Sequence, residues 1–207
     1  MRELEVTNVQ DVNINYLIVL GSLCLIFSGC KYAPCRYSFS LVEPKSETLN
    51  FEDDNVQFRF VPSPENIWVE IRNKTDHKIN LVRDDAEFID HLGKSHSVLY
   101  GYNFVSETRV FVSNNMHATP RRIDPGSEIT GYVWINIGLD LTIMTSGLSG
   151  KLSDNIYYSM RPFFPRYSHE GSGEDLEDSN FSLILPIGFD GHISNYKFTF
   201  MINDVVE

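Results

Sequence analysis

Disulfide chemistry, basic charge and membrane-spanning length are all scarce in this chain. Its 207 residues hold three cysteines, Cys24, Cys30 and Cys35. That count excludes a disulfide scaffold, so packing alone must hold any folded part together. Lys and Arg number 17 against 28 Asp and Glu, a net charge of −11. The balance repels nucleic-acid phosphates and anionic headgroups, which excludes both as electrostatic partners. No internal repeat is visible. No Gly-x-Ser-x-Gly elbow and no cysteine with a positioned histidine marks a nucleophile. Aromatic residues, by contrast, are plentiful, with 14 Phe, 10 Tyr and 2 Trp, and aromatics favour strands.

Residues 16–27 form an uncharged apolar run that leads directly into Ser28-Gly29-Cys30. As a helix it would rise about 18 Å, well short of the ~30 Å hydrocarbon core of a bilayer. It has the length of a signal-peptide h-region, which ends at small residues. The small pair before a cysteine resembles the lipobox of bacterial lipoproteins, Leu-Ala/Ser-Gly/Ala-Cys. Ser28 and Gly29 match it, and Phe27 stands where Leu is preferred. The resemblance implies cleavage before Cys30 and a lipid thioether on its sulfur. Cys35 is then alone in the mature chain and no internal disulfide can form. A basic n-region is missing, since residues 1–15 carry Arg2 against Glu3, Glu5 and Asp11. A start codon placed too far upstream accounts for that. The competing readings are a buried helix or strand of the domain, a plain secretory signal and a signal anchor.

Removal of residues 1–29 leaves about 180 residues, enough for one domain to bury roughly 70% of its unfolded surface. Residues 31–50, with Pro34 and Pro44, read as a tether with room for a first strand at residues 37–42. Short alternating runs follow. Val56-Gln-Phe-Arg-Phe60 is one, and Ile67-Trp-Val-Glu-Ile-Arg72 places Ile67, Val69 and Ile71 on one face. Asn73-Lys-Thr-Asp76 turns the chain into a return strand at residues 78–82. Gly93-Lys94 turns it into a strand at residues 97–100, and Arg109-Val-Phe-Val112 reads as another. Asp124-Pro-Gly-Ser127 has the chemistry of a type II turn. Asp190-Gly191 joins two long runs as a hairpin, with Pro186 implying an edge or a bulge. A short helix is expected at residues 84–91 or 152–157.

About nine strands and no helical period describe an all-β chain, an antiparallel β-sandwich. Asn66-Ile-Trp-Val-Glu-Ile-Arg-Asn-Lys-Thr-Asp76, Gly93-Lys-Ser-His96, Ile123-Asp-Pro-Gly-Ser127, Leu185-Pro-Ile187 and Tyr196-Lys-Phe-Thr-Phe200 together resemble a family of uncharacterised bacterial lipoproteins. The resemblance spans most of residues 65–202. It implies an immunoglobulin-like sandwich and brings no known activity.

Asp84, Asp85, Glu87, Asp90, His91 and His96 crowd together. They lack the spacing of a calcium loop or of a zinc site and read as a solvated loop, with no metal or other cofactor expected. The acidic residues 170–178 read likewise. Tyr157, Tyr158, Arg161, Phe163, Phe164, Arg166 and Tyr167 break the strand period, with Pro162 and Pro165 among them. Phe163 and Phe164 read as a plug for the core. Tyr157, Tyr158, Arg161, Arg166 and Tyr167 are the candidate contact with a partner, since Tyr and Arg are common interface anchors. The expected organisation is a signal peptide at residues 1–29, lipidated Cys30 and a tether to residue 50, and a β-sandwich from 51 to 207. The expected role is a non-catalytic module in the bacterial cell envelope, anchored through Cys30, facing away from the cytoplasm and meeting an envelope protein or glycan. An envelope hydrolase with a site assembled from loops is the alternative.

Overall fold

Strict alternation of apolar and polar residues, not helical periodicity, governs most of this chain, and the computed structural model accordingly shows an all-β fold. It describes residues 33–136 and 160–206. The architecture below is that of the compact unit Pro34–Glu207. Its strands are β1 (Arg36–Glu43), β2 (Lys45–Ser46), β3 (Asn50–Glu52), β4 (Val56–Pro62), β5 (Ile67–Asn73), β6 (Ile79–Leu81), β7 (Glu87–Ile89), β8 (Ser95–Gly101), β9 (Arg121–Ile123), β10 (Glu128–Ile135), β11 (Asn180–Phe189) and β12 (His192–Val206). One α-helix among the described residues, α1 (Phe104–Ser113), follows β8.

Every strand pairing is antiparallel, and ten of the twelve described strands follow one path, β2-β1-β12-β11-β7-β8-β10-β5-β4-β3, with β6 branching from β11 and β9 pairing with β6. β8 joins its two halves by changing partner midway. Ser95 to Ser97 pair with β7, and Val98 to Gly101 pair with β10. The path then curls until its ends face each other, nearly as a barrel. Phe60 of β4 and Phe198 of β12 stand far apart along the path, yet their ring centroids are 4.6 Å apart. Phe58, Phe60, Phe181, Phe198 and Phe200 are all buried in this interior. Each buried aromatic removes about 150–250 Å² from water, so these rings supply much of the driving force.

Ile67, Val69 and Ile71 are fully buried, as the alternation requires. Asn73 then makes the turn from inside the fold. Its Oδ1 accepts from the Thr75 N–H at 2.9 Å, and its Nδ2 donates to the His77 and Ile123 carbonyls. The Asp124-Pro-Gly-Ser127 turn forms with Gly126 at φ +67° and Ser127 N–H donating to the Asp124 carbonyl. The β11–β12 hairpin runs in unbroken register from Asn180↔Met201 to Phe189↔His192, closed by Asp190 and Gly191 at positive φ.

Three expectations need correction. Residues 109–112 are helix, not strand. The Asn103 side chain caps α1 by accepting from Ser106 N–H at 3.0 Å, and Phe104, Thr108 and Phe111 bury one face. Pro186 lies in an interior strand, not at an edge. It sits between the stretch of β11 paired with β7 and the stretch paired with β6, and its carbonyl accepts from Val82 N–H. The ladder is interrupted there, so a residue without an N–H is tolerated. Residues 84–91 hold a single 3₁₀ turn, Arg83–Asp85, followed by β7. The other helix expectation, residues 152–157, lies outside the described residues. The first strand expected at residues 37–42 forms as β1, Arg36–Glu43, and with β2 it turns much of the segment read as a tether into sheet.

Candidate functional site

Pro162 and Pro165 cannot continue a strand between Arg161 and Tyr167, and the structure uses the segment as a clasp. The Phe163 and Phe164 N–H groups donate to the carbonyl of Pro64, just past β4. On the other side, Cys35 N–H donates to the Arg166 carbonyl at 2.9 Å, Tyr37 Oη donates to the Pro165 carbonyl at 2.7 Å, and Pro34 forms a bridge with Tyr167. The segment thus ties the turn after β4 to the start of β1, strands from the two ends of the sheet path.

Its side chains divide by face. Phe164 is buried, and Phe163 packs on Phe88 with centroids 4.3 Å apart. Both join the core, as the plug reading expects. Arg166 is taken up by acids: its guanidinium donates to Glu170 at 2.6 Å through Nη2 and to Glu65 at 3.3 Å through Nη1. Hydrogen bonds from Arg166 hold the Glu170 carboxyl below its usual pKa, and the same bonds raise that of Arg166. Arg166 also lies over the Tyr167 ring at 5.7 Å, and that ring stacks on His169. Tyr167 remains 37% exposed, and Arg161 is exposed as well. An open concavity of about 390 Å³ lies between Arg161 and Glu170. Of the candidate contact residues, Arg161, Arg166 and Tyr167 therefore share one end of the domain. Tyr157, Tyr158 and the lipidation candidate Cys30 lie outside the described residues.

The acidic and histidine-rich residues are dispersed over structural pairs. His96 and Asp90 meet at 2.9 Å, Glu87 accepts from Ser95 Oγ at 3.0 Å, and His91 is exposed. Asp84 accepts from Ala118 N–H and lies 3.1 Å from His117 Nδ1. Among the described residues no three His, Cys, Asp or Glu side chains are grouped to hold a metal.

A cluster that the sequence did not reveal lies beside Asp84. Arg83 is buried and donates to the Tyr100 and Thr119 carbonyls and to the Glu107 carboxylate. Gly101 makes room for that carboxylate, because a Cβ there would collide with Glu107. Next to the cluster is a cavity of about 410 Å³ lined by Asp84, His117, Ser97, Phe111 and Asn136, among others. Cation and acid are 24 residues apart in sequence, and no linear spacing could have flagged them. Tyr100 carries the one buried side-chain oxygen without a partner among the described residues, and burial raises its pKa.

No protein family model matches this chain, and no curated protein or solved structure matches it either.

Proposed function

We propose that this protein is a lipid-anchored, non-catalytic module of the bacterial cell envelope, held outside the cytoplasm through Cys30. Its all-β domain presents loops to an envelope protein or glycan. The observation that carries this reading is the apolar run of residues 16–27 leading into Ser28-Gly29-Cys30, close ahead of a domain whose first strand begins at Arg36. A leader cleaved before Cys30 leaves that domain whole. The resemblance to immunoglobulin-like lipoproteins points the same way. The test is Cys30→Ser in the full chain. The variant should lose membrane partitioning or accumulate unprocessed, and unchanged partitioning with unchanged gel mobility would remove the anchor.

A second reading, an envelope hydrolase, has one observation behind it. Asp84 and His117 are paired at 3.1 Å, and Ser97 lines the same cavity. An acid orienting a histidine beside a serine is the arrangement acyl transfer uses. Against it, no hydrogen bond joins Ser97 to His117, the His117 side chain is 72% exposed, and Asp84 is occupied in holding the Ala118 N–H. Ester hydrolysis by the purified chain that disappears in Ser97→Ala would establish this reading in place of the first.

A further inference from the structure

We infer that the clasp end of the domain, the surface with Tyr167, Arg161 and Pro34, is its membrane-facing end and rests on the zwitterionic headgroup layer. This rests on the proposed lipidation of Cys30. The argument is one of length. The chain enters the domain at Pro34 and Cys35, which are fastened to Tyr167 and Arg166. Only Lys31, Tyr32 and Ala33 separate that point from Cys30. Fully extended, the four steps from Cys30 to Pro34 cover at most about 14 Å. A domain of this size has a radius of gyration near 15 Å and so is roughly 40 Å across. The tether is much shorter than the domain. It cannot let the domain turn its far end to the bilayer.

Side-chain chemistry at this end suits a polar interface better than open water. Tyr167 is exposed and flanked by His169 and Arg166, exposed Pro34 is bridged to it, and exposed Arg161 shares a concavity with Arg166. Tyrosine is at home at headgroup depth, with its ring toward the acyl chains and its hydroxyl in water. Acids lie close by: Glu177 accepts from Val205 N–H, and Val205 pairs with Tyr37 at the start of β1. Arg166 is paired with Glu170 and Glu65, and Glu177 stands against the exposed Arg161 and Arg36, so these side chains leave no excess of positive charge. Attraction to anionic lipid therefore does not seat it, and the anchor does. The opposite end is the β11–β12 turn. β12 runs 15 residues from Val206 beside Arg36 to His192, carrying the chain from the clasp end to that turn.

Hydroxyl-radical footprinting tests this on the full lipidated chain in phosphatidylcholine vesicles, comparing Tyr167 with His192. Acylation of Cys30 is checked by mass in the same sample. Tyr167 should be oxidised several-fold more slowly than in a matched chain with a Gly/Ser spacer of about 20 residues inserted after Tyr32, which adds about 25 Å of reach. His192 should be oxidised equally in both, and neither rate should respond to salt. Equal oxidation of Tyr167 in both chains, with Cys30 acylated, overturns the inference and leaves the anchor standing. Protection of Tyr167 in whole cells but not in vesicles overturns it in favour of a protein partner. An unmodified Cys30 removes the anchor and this inference with it.

Discussion

Arg83 Nη1 and Glu107 Oε2 lie 2.8 Å apart, with the two side chains only 7% and 17% exposed. The pair joins the 3₁₀ turn after β6 to α1. The same guanidinium holds the Tyr100 and Thr119 carbonyls, so three segments depend on one cation. Removing one partner of a buried pair leaves the other charge without compensation. Glu107→Ala should therefore destabilise the domain by about 3 kcal/mol, measured by urea denaturation, and Glu107→Gln by less because it still accepts a hydrogen bond. A loss below about 1 kcal/mol for Glu107→Ala, the size of an exposed pair, would contradict this role.

A second consequence concerns Gly131. A Cβ there would stand 2.8 Å from Tyr100 Cζ and 3.0 Å from the Gly101 carbonyl. Tyr100 is fully enclosed and cannot swing out. Gly131→Ala should cost about 1–3 kcal/mol through overpacking. A thermal melt unchanged by the substitution would show that the β8–β10 ladder is looser than its register implies.

Facing of the strands is tested at neighbouring positions in β5. Val69 has no exposure, while Glu70 lies 3.8 Å from Arg59 on the outer side. Val69→Asp buries a charge with no partner and should cost several kcal/mol. Glu70→Lys loses a weak outer pair and should cost about 0.5–1 kcal/mol. Equal tolerance in a denaturant titration would reverse the assigned faces.

These inward and outward positions were readable from the sequence because strand periodicity is local, as at Ile67, Val69 and Ile71. Turn chemistry at Asn73, Gly126 and Asp190-Gly191 was readable for the same reason. α1 was not, because Arg109-Val-Phe-Val112 imitates a strand. The signals that identify the helix, capping Asn103 and the spacing of Phe104, Thr108 and Phe111, lie mostly upstream of those residues. The Arg83–Glu107 pair and the clasp depend on contacts between distant segments, which no pattern of neighbours encodes. The composition of residues 161–167 was conspicuous, but the sequence did not reveal that its backbone joins Pro64 to Cys35.

The clasp makes its own prediction. Phe164 is 3% exposed and touches Tyr37, Phe39 and Phe181. Phe164→Ala should cost about 3–5 kcal/mol, whereas Tyr167→Ala should leave the melting temperature of the lipid-free chain close to wild type. A large loss at Tyr167 would move that residue from the surface into the fold.

Acid stability is tested at Asp90. Burial opposes its charge, but hydrogen bonds from the His96 ring and from the Lys94 and Leu92 N–H groups outweigh burial and hold the carboxyl below its usual range. A depressed folded pKa contributes stability that is present above the unfolded value, about 3.9, and is lost as pH falls through the folded value. Asp90→Asn should therefore lower stability at neutral pH and flatten its decline below about pH 4. Parallel melting curves against pH for the two chains would exclude the contribution.

The anchor is the central claim, and the mass of the mature N-terminus tests it most directly. Protein purified from the membrane fraction of a bacterium expressing the full chain, digested and analysed by mass spectrometry, should yield an N-terminal peptide beginning at Cys30 and carrying a diacylglycerol thioether. A mature chain that retains residues before Cys30, or begins elsewhere with an unmodified Cys30 thiol, would contradict it.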